Sequence, residues 1–315
     1  MSRAVQENMD YLKNLETKLR SARALSPRVE AETLVTYFTR MKRLDLFTGN
    51  KKISPSARLS IDKALRFRRK GIPLAHVTGQ APFYGRFFQV TKDTLIPRPE
   101  TEVLVEAVLT FLKNGSFRRA KRGEISYKNG DFSASPRNDS SQIPEILDLG
   151  TGSGCIAVSL TLEYPACRMT ALDASPKALA VSAKNVESFG VGRQVSLVES
   201  CLFESFGPEK YGFWDVLVSN PPYIPEEDWK SLPREVMSEP RLALDGGKDG
   251  LEVIQKILLQ APLFLKPGGH IFMEIGKDQS VALTKFLKNR KEYKGLHFIK
   301  DLNWIDRVLV AQKNG

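Results

Sequence analysis

Hydrophobic residues in the first seventy positions recur at helical intervals. Spacings of three and four place one set on a single helical face, and this set comprises Val5, Met9, Leu12, Leu15 and Leu19. Ser26-Pro27 and Ser54-Pro55 each join an N-cap residue to a proline at the first helical position, so two further helices are expected to begin there. Gly71-Ile72-Pro73 then ends the third helix. The pattern predicts a small helical domain over residues 1–74.

The pattern changes between residues 75 and 95. The stretch Phe83–Val90 is rich in aromatic and β-branched residues and has Gly85 near its start, which is typical of a β-hairpin. Helical spacing returns between Glu102 and Leu112. We therefore expect a β-hairpin linker between the helical domain and a larger domain over residues 96–315.

Short apolar runs alternate with helical stretches from Ile146 onward. The runs with strand character are Ile146–Leu149, Met169–Leu172, Val195–Val198, Val216–Ser219, Ile271–Glu274, Leu296–Lys300 and Arg307–Ala311. This alternation predicts an α/β fold in which a mostly parallel, seven-stranded sheet carries helices on both faces. The last two strands lie close together in the sequence and are expected to form an antiparallel edge. The polar segment Asn114–Pro144 lacks periodic apolar residues and is predicted to be a flexible insertion, with a functional lid as the alternative.

Composition narrows the class of protein. The chain has 315 residues, of which 42% are hydrophobic and 26% charged, so it can bury a core and is not disordered as a whole. The N-terminus lacks the apolar segment of a signal peptide, and no stretch approaches the length of a membrane span. Three cysteines without a C-x-x-C pair argue against a disulfide framework. We therefore expect a monomeric cytoplasmic protein that does not associate with membranes.

The net charge of +11 is concentrated in residues 40–70. This segment contains eleven Lys or Arg and two Asp, and so it accounts for +9 of the total. A solvated helix face and a docking surface for RNA or an acidic protein both explain such a segment. Apart from Phe47 and Phe67, it lacks the interleaved aromatic residues on which bases would stack. Direct nucleic-acid binding is therefore not expected.

The first motif with chemical content joins a predicted strand to a helix. Asp148 lies near the end of the strand, and glycines follow at alternate positions, Gly150, Gly152 and Gly154. Glycines allow a tight turn and a close approach of a ligand to the backbone, and Asp173, at the end of the next strand, can accept both ribose hydroxyls of a nucleoside. The spacing differs from the G-x-G-x-x-G of pyrophosphate binders and resembles the S-adenosylmethionine site of class I methyltransferases. A turn without a ligand and a nicotinamide site are the alternatives.

The second motif, Asn220-Pro221-Pro222-Tyr223, follows a predicted strand. Its two prolines remove two backbone donors and stiffen the loop at the end of the sheet where open α/β sheets hold ligands. The side-chain oxygen of Asn220 and the main-chain carbonyl of Pro221 can accept both hydrogens of a planar NH2 group and orient its nitrogen. Tyr223 offers a flat face to a planar amide or base. A structural turn is the alternative, but the pairing with the glycine motif favours an acceptor site.

The two motifs together resemble the N-methyltransferases that modify exocyclic amines or amides. Three further stretches narrow the resemblance to the HemK/PrmC family, and these are Ala75–Gly79, Leu95–Glu102, and Glu239–Gly247 with Asp249-Gly250. The resemblance covers nearly the whole chain and implies a class I methyltransferase fold with a Rossmann-like sheet. It also implies S-adenosylmethionine as donor, S-adenosylhomocysteine as product, and N5-methylation of the glutamine in the Gly-Gly-Gln motif of peptide chain release factors.

The resemblance also implies roles for individual residues. The acceptor amide would be held by Asn220, Pro221, Pro222 and Tyr223, and the donor would contact Gly150, Thr151, Gly152, Ser153, Gly154, Asp173, Leu202 and Asn220. The helical domain would help to dock the release factor. Cys201 stands where we expect an acid beside the adenine pocket, which leaves backbone groups and Leu202 to contact the adenine.

Other interpretations stay open at the level of the sequence. The same chemistry could act on a glutamine of a ribosomal protein, or on adenine N6 in a nucleic acid, although no helix-turn-helix or zinc module is visible. A non-catalytic scaffold is a further alternative. Arg98 and Glu100 either shape a substrate channel or form a surface ion pair. Glu274 either faces the site or is a hydrogen-bonded carboxylate at a strand end. The three histidines lie far apart in the sequence and have no cysteines at ligand spacing, so we expect no metal site.

Overall fold

The computed structural model describes residues 3–48, 51–114 and 143–315, which form two compact units. The helical unit comprises Met1–Gln80 and Leu232–Ser238, and the sheet unit comprises Ala81–Ser231 and Glu239–Gly315. Residues 115–142 of the predicted insertion lie outside the described residues. No helix in the described ranges is both long enough and apolar enough to cross a membrane.

The helical unit is built on amphipathic helices. They are α1 (Arg3–Ser21), α2 (Pro27–Thr39), α3 (Asp45–Thr48), α4 (Pro55–Arg69), α5 (Leu74–Thr78) and a single turn at Arg234–Met237. Leu12 of α1, Leu34 of α2 and Ile61 of α4 are fully buried in one apolar cluster. Ser54 caps α4, since its hydroxyl accepts a hydrogen bond from the N–H of Ala57 at 3.2 Å, whereas the side chain of Ser26 makes no such bond at α2.

A buried ion cluster joins the segment Leu232–Ser238 to the helices of this unit. Arg68, on α4, has a side chain that is only 1% exposed and donates to both carboxylate oxygens of Glu30 at 2.8 and 2.9 Å. It also donates to Glu235 at 2.7 Å. Because Arg68 compensates both buried carboxylates, this cluster holds Leu232–Ser238 against α4 within the helical unit. One of the eleven cations of residues 40–70 is therefore buried, and not part of a solvated face.

The sheet unit contains a hairpin and a seven-stranded sheet. The hairpin strands are β1 (Gln80–Phe83) and β2 (Arg86–Gln89). The large sheet consists of β3 (Glu145–Leu149), β4 (Arg168–Asp173), β5 (Val195–Glu199), β6 (Trp214–Ser219), β7 (Leu265–Glu274), β8 (Tyr293–Lys300) and β9 (Asp306–Lys313). Its order is β5-β4-β3-β6-β7-β9-β8, and only β9 pairs with its two neighbours in an antiparallel manner. The predicted fold class and antiparallel edge are confirmed.

Helices cover both faces of this sheet. They are α6 (Thr101–Lys113), α7 (Cys155–Glu163), α8 (Pro176–Ser188), α9 (Glu252–Phe264) and α10 (Ser280–Leu287). Residues of α6 and α7 share one apolar cluster with Ile146 of β3, whereas residues of α9 share a second cluster with Leu147 and Leu149. Alternate residues of β3 thus enter opposite cores, as the period of a strand requires.

The register of the parallel strands aligns their carboxyl ends. Leu149 pairs with Leu172 on one side and with Ser219 on the other, and Ser219 pairs with Met273. The glycine motif, Asp173, Asn220 and Glu274 therefore follow or end neighbouring strands at one edge of the sheet. We call this edge the carboxyl edge, and open α/β sheets hold their ligands there.

Candidate active site

The glycine motif forms a turn with left-handed backbone conformations at the carboxyl edge. The φ angles of Gly150, Gly152 and Gly154 are 74°, 57° and 81°, which side chains rarely tolerate. A Cβ added at Gly150 or Gly152 would meet no atom within 4 Å, but one at Gly154 would collide with the hydroxyl of Ser182. Gly154 therefore allows α7 and α8 to pack closely, while Gly150 and Gly152 leave open space beside the backbone.

Asp173 is fixed beside this turn by backbone donors. One carboxylate oxygen accepts the N–H of Gly152 at 2.8 Å, and the other accepts the N–H of Ser175 at 2.9 Å. Burial raises the pKa of Asp173, against the effect of these hydrogen bonds. Each carboxylate oxygen has a further lone pair, so the group can still accept two hydroxyl donors from a ligand.

Asp148 stabilises the glycine turn through a buried hydrogen bond to Thr151. It is fully buried, and its Oδ2 accepts the hydroxyl of Thr151 at 2.7 Å. Burial raises the pKa of Asp148 to about 7. Thr151 and Ser153 are themselves buried, so a ligand at this turn would meet their backbone atoms before their hydroxyls. The residues predicted to bind the methyl donor, Gly150–Gly154 and Asp173, thus lie together around one turn.

Leu202 lies in the loop after β5, which is bonded to the backbone of Asp173. The N–H of Ser200 donates to the backbone oxygen of Asp173 at 3.1 Å, and the hydroxyl of Ser200 donates to the backbone oxygen of Leu202 at 2.8 Å. Leu202 adopts a φ of 50° and is half-buried, whereas Cys201 is exposed. The loop therefore holds Leu202, partly packed on the core, in a fixed turn near the backbone of Asp173, while the thiol of Cys201 stays exposed.

The amide group of Asn220 is held in one orientation. Its Nδ2 donates to the hydroxyl oxygen of Thr101, at the start of α6, at 3.0 Å. Within the described ranges, neither Oδ1 of Asn220 nor the carbonyl oxygen of Pro221 accepts a hydrogen bond. Pro221 is buried, and Pro222 and Tyr223 are half-buried. Two adjacent acceptors are thus available on a loop that the prolines stiffen.

A buried carboxyl connects Tyr223 with the same threonine. The hydroxyl of Tyr223 donates to Oε1 of Glu274 at 3.1 Å, and Glu274 is fully buried at the end of β7. The side chain of Thr101 lies close enough to Glu274 to offset part of the rise in the pKa of this carboxyl. Glu274 is therefore a hydrogen-bonded carboxyl at a strand end, and through Tyr223 it also contacts the candidate site, so both of its sequence-based interpretations stay open. It anchors Tyr223 directly.

The backbone of Tyr223 is clamped by the segment that follows it. The N–H of Ile224 donates to Leu244 O at 2.9 Å, and the Nε2 of Gln279 donates to the backbone oxygens of both Tyr223 and Gly250 at 3.1 Å. A Cβ at Gly246 would lie 2.7 Å from the Cα of Tyr223, so only glycine allows this approach. The Glu239–Gly250 stretch thus fixes the position of the loop Asn220–Tyr223, which we call the acceptor loop.

The stretch Leu95–Glu102 meets the start of that same segment. The N–H of Ile96 donates to Oε2 of Glu239 at 2.8 Å, and Arg98 pairs with Oε1 of the same carboxylate, whose side chain is 1% exposed. Arg98 therefore pairs with the buried Glu239 and not with Glu100. This pairing places the start of α6, with Thr101, beside the acceptor loop.

Sequence reasoning did not identify Thr101 and Gln279 as functional residues. Thr101 lies 119 positions before Asn220, and Gln279 lies 56 positions after Tyr223. The sequence signal that could have indicated Thr101 was the stretch Leu95–Glu102. This stretch contributed to the family resemblance, but the resemblance gave no role to Thr101. No group of three or more His, Cys, Asp or Glu in the described parts of the chain is arranged to hold a metal ion.

The buried Glu274 predicts a measurable pH dependence of stability. Burial raises its pKa from 4.5 to about 7, so the folded state binds a proton that the unfolded state releases between these values. The wild-type protein therefore loses stability from this group as the pH rises from 4.5 to 7, and glutamine does not. We expect the unfolding free energy of Glu274→Gln, relative to wild type, to increase by about 3 kcal/mol across this window. Urea unfolding at several pH values measures it, and a difference that is independent of pH would contradict the assignment.

Comparisons with known proteins identify both parts of the chain. The family model PrmC N-terminal domain matches residues 10–79, and the model Methyltransferase small domain matches residues 137–247. The catalytic domain of hMettl16, solved with MAT2A 3′UTR hairpin 1, superposes with a TM-score of 0.51 at 14% identity, over 90% of this chain and 88% of that one. Similarity at this level concerns the fold alone, and it supports the predicted class I architecture.

Two relatives extend over nearly the whole chain. The release factor glutamine methyltransferase of Chlorobaculum tepidum is 36% identical over 286 residues, which cover 90% of this chain and 89% of the relative. The release factor glutamine methyltransferase of Koribacter versatilis is 34% identical over 304 residues, which cover 96% and 95%. The predicted HemK/PrmC resemblance is thereby confirmed, and the chain is a methyltransferase that belongs to the release factor glutamine methyltransferase family.

Proposed function

We propose that this protein transfers a methyl group from S-adenosylmethionine to the side-chain amide nitrogen (N5) of the glutamine in the Gly-Gly-Gln motif of peptide chain release factors. The names of the relatives support the release factor as substrate and glutamine as acceptor. The observation that carries the proposal is the fixed amide of Asn220, whose oxygen and the neighbouring Pro221 carbonyl stay available at the carboxyl edge.

The residues of the glycine turn fit the proposed donor. Gly150 and Gly152 leave open space along the backbone, and Asp173 keeps two lone pairs for ribose hydroxyls. When bound, S-adenosylmethionine supplies a methyl group on a sulfonium, which an amide nitrogen can take up with loss of one proton. The half-buried Leu202 offers an apolar contact for a nucleobase beside Asp173.

The acceptor residues fit a primary carboxamide. Oδ1 of Asn220 and the carbonyl oxygen of Pro221 can accept one N–H each, which fixes the amide plane and orients its nitrogen. Both acceptors also stabilise positive charge that develops on this nitrogen during transfer. Tyr223, anchored by Glu274, offers its ring face to the flat amide. A backbone carbonyl cannot be removed by mutation, so Asn220 is the half of this pair that can be tested.

Mass spectrometry of a defined reaction tests the proposal. The protein is incubated with methyl-labelled S-adenosylmethionine and a purified release factor, and separate reactions contain ribosomes or adenine-containing DNA. We expect one added methyl group on the Gly-Gly-Gln peptide and none when this glutamine is replaced by alanine. Label on a ribosomal protein or on DNA, with none on the release factor, would replace this proposal by one of the alternative substrates.

A glycine behind the acceptor loop provides a second test. A Cβ at Gly250 would collide with the carbonyl oxygen of Tyr223 and lie 2.8 Å from Nε2 of Gln279, so Gly250→Ala must displace Tyr223. We expect kcat to fall by about a hundredfold, because small displacements of positioning groups strongly slow transfer. Gly212→Ala is the matched control, since its φ is also positive (62°) but an added Cβ has nothing within 4 Å. Equal rates in the two variants would show that the clamp does not position the loop.

A further inference from the structure

Exposed apolar side chains gather beside the carboxyl edge. Four large apolar side chains in the described residues are at least 77% exposed, and three of them are Val281, Leu302 and Trp304. Leu302 and Trp304 lie in the turn between β8 and β9, which we call the hairpin tip (residues 301–305). The side chain of Ser280 lies close enough to Asp306 to lower the pKa of this carboxyl, which places Val281 near the tip. Exposed apolar clusters of this kind mark interaction sites more often than chance.

The hairpin tip is rigid although it is exposed. Oδ1 of Asp301 accepts the N–H groups of Asn303 and Ile305 at 2.8 and 3.1 Å, and Oδ2 pairs with Arg307 at 3.1 Å. Trp304 adopts a φ of 62°, a conformation that is unfavourable for a bulky side chain. The fold therefore holds a strained tryptophan in water on an ordered turn, which folding stability alone does not explain.

The tip lies at the same edge as the acceptor loop. β9 runs antiparallel to β7, Val308 pairs with Glu274, and the N–H of Ile275 donates to the backbone oxygen of Arg307 at 2.9 Å. The residues before β9 thus lie beyond the carboxyl end of β7. Two strand spacings separate β6 from β9, a lateral distance of about 10 Å, which about three residues of extended chain span.

The charges around the tip favour an apolar partner over an anionic one. Lys300 is paired with Asp306 at 2.7 Å, and Arg307 is paired with Asp301, so the cations that flank the tip are already compensated. A phosphate backbone or an acidic lipid surface would need cations available for pairing. Tryptophan is also the residue most enriched at the energetic centres of protein interfaces.

We propose that Trp304 and Leu302 form a docking site for the protein substrate, where they bind an apolar side chain about three to five residues from the acceptor glutamine. This inference rests on the proposed function, because it takes the protein whose glutamine reaches Asn220 to extend along the carboxyl edge towards the tip. The hairpin tip would then contribute to the affinity for the substrate protein and not to the methyl transfer itself.

Steady-state kinetics with an intact release factor test this inference. We expect Trp304→Ala to raise KM for the release factor by about thirty-fold, the size of an interface hot spot, with kcat at saturation unchanged. Trp304→Phe should recover most of the affinity. Leu263→Ala is the matched control, since Leu263 is 55% exposed and lies at the end of α9, at the opposite edge of the sheet.

The outcomes separate this inference from the proposed function. An unchanged KM in Trp304→Ala, or a lower kcat without a change in KM, would overturn the docking site while methyl transfer by the wild type still stands. Sedimentation that shows a wild-type dimer and a Trp304→Ala monomer would assign the tip to a second copy of this chain and overturn the inference. A wild-type protein that methylates no release factor would overturn both.

Discussion

Replacement of Asn220 by alanine is expected to lower kcat by roughly 10²–10³-fold while the affinity for S-adenosylmethionine stays within about twofold of wild type. The side-chain oxygen is one of the two acceptors proposed to hold the glutamine amide, and alanine removes it without touching the glycine turn or Asp173. Methyl-transfer rates at saturating substrates and calorimetric titration of the donor measure the two quantities. A variant that retains the wild-type rate would show that the acceptor site has been assigned to the wrong loop.

Thr101 offers a graded control for this prediction. Its hydroxyl oxygen accepts from Nδ2 of Asn220 at 3.0 Å and thereby fixes which end of the amide stays available. Thr101→Val preserves the shape but removes the acceptor, so the amide can rotate and we expect a loss of about tenfold in kcat. Thr101→Ser retains the hydroxyl and should stay close to wild type. Equal activity of the valine and serine variants would mean that this hydrogen bond does not orient Asn220.

The two motifs that are continuous in the sequence could be predicted, because the residues of each motif lie in a single turn. The glycine turn and Asn220–Tyr223 each follow a strand, and the parallel register then brings them to one edge. Thr101 and Glu274 could not be assigned in this way, since their contacts with Asn220 and Tyr223 arise only when α6 and β7 pack beside β6. Long-range packing therefore determines the supporting residues of the site, although the neighbouring motifs are visible in the sequence.

Some element boundaries and some buried positions in helices could not be predicted from the sequence either, because tertiary contacts determine them. In the first turns of α1, Asn8 is buried together with Val5 whereas Met9 is half-buried, because Nδ2 of Asn8 can donate to the backbone oxygen of Lys51 at 2.9 Å. β7 begins at Leu265 and not at Ile271, since a bulge opposite Trp214 and Val216 accommodates Pro267 and the two glycines that follow. Hydrophobic periodicity cannot anticipate a buried polar partner or a bulge within the strand.

Replacement of Asp173 by alanine is expected to weaken binding of S-adenosylmethionine by about a hundredfold. The carboxylate is proposed to accept both ribose hydroxyls, and two hydrogen bonds to a charged acceptor contribute about 3 kcal/mol together. The variant also leaves the N–H groups of Gly152 and Ser175 without their acceptor, so the glycine turn itself becomes less ordered. Both effects weaken the binding of S-adenosylmethionine. At saturating S-adenosylmethionine, kcat should therefore fall far less than the affinity for S-adenosylmethionine does.

Glu199 provides the matched control for this loss of charge. It is the register partner of Asp173 on β5, is exposed, and carries the same charge at the same edge of the sheet. Because Glu199→Ala removes no acceptor from the glycine turn, we expect donor affinity to change by less than about twofold. If the two alanine variants bind the donor equally well, Asp173 does not contact the ribose, and the glycine turn must hold the nucleoside by its backbone alone.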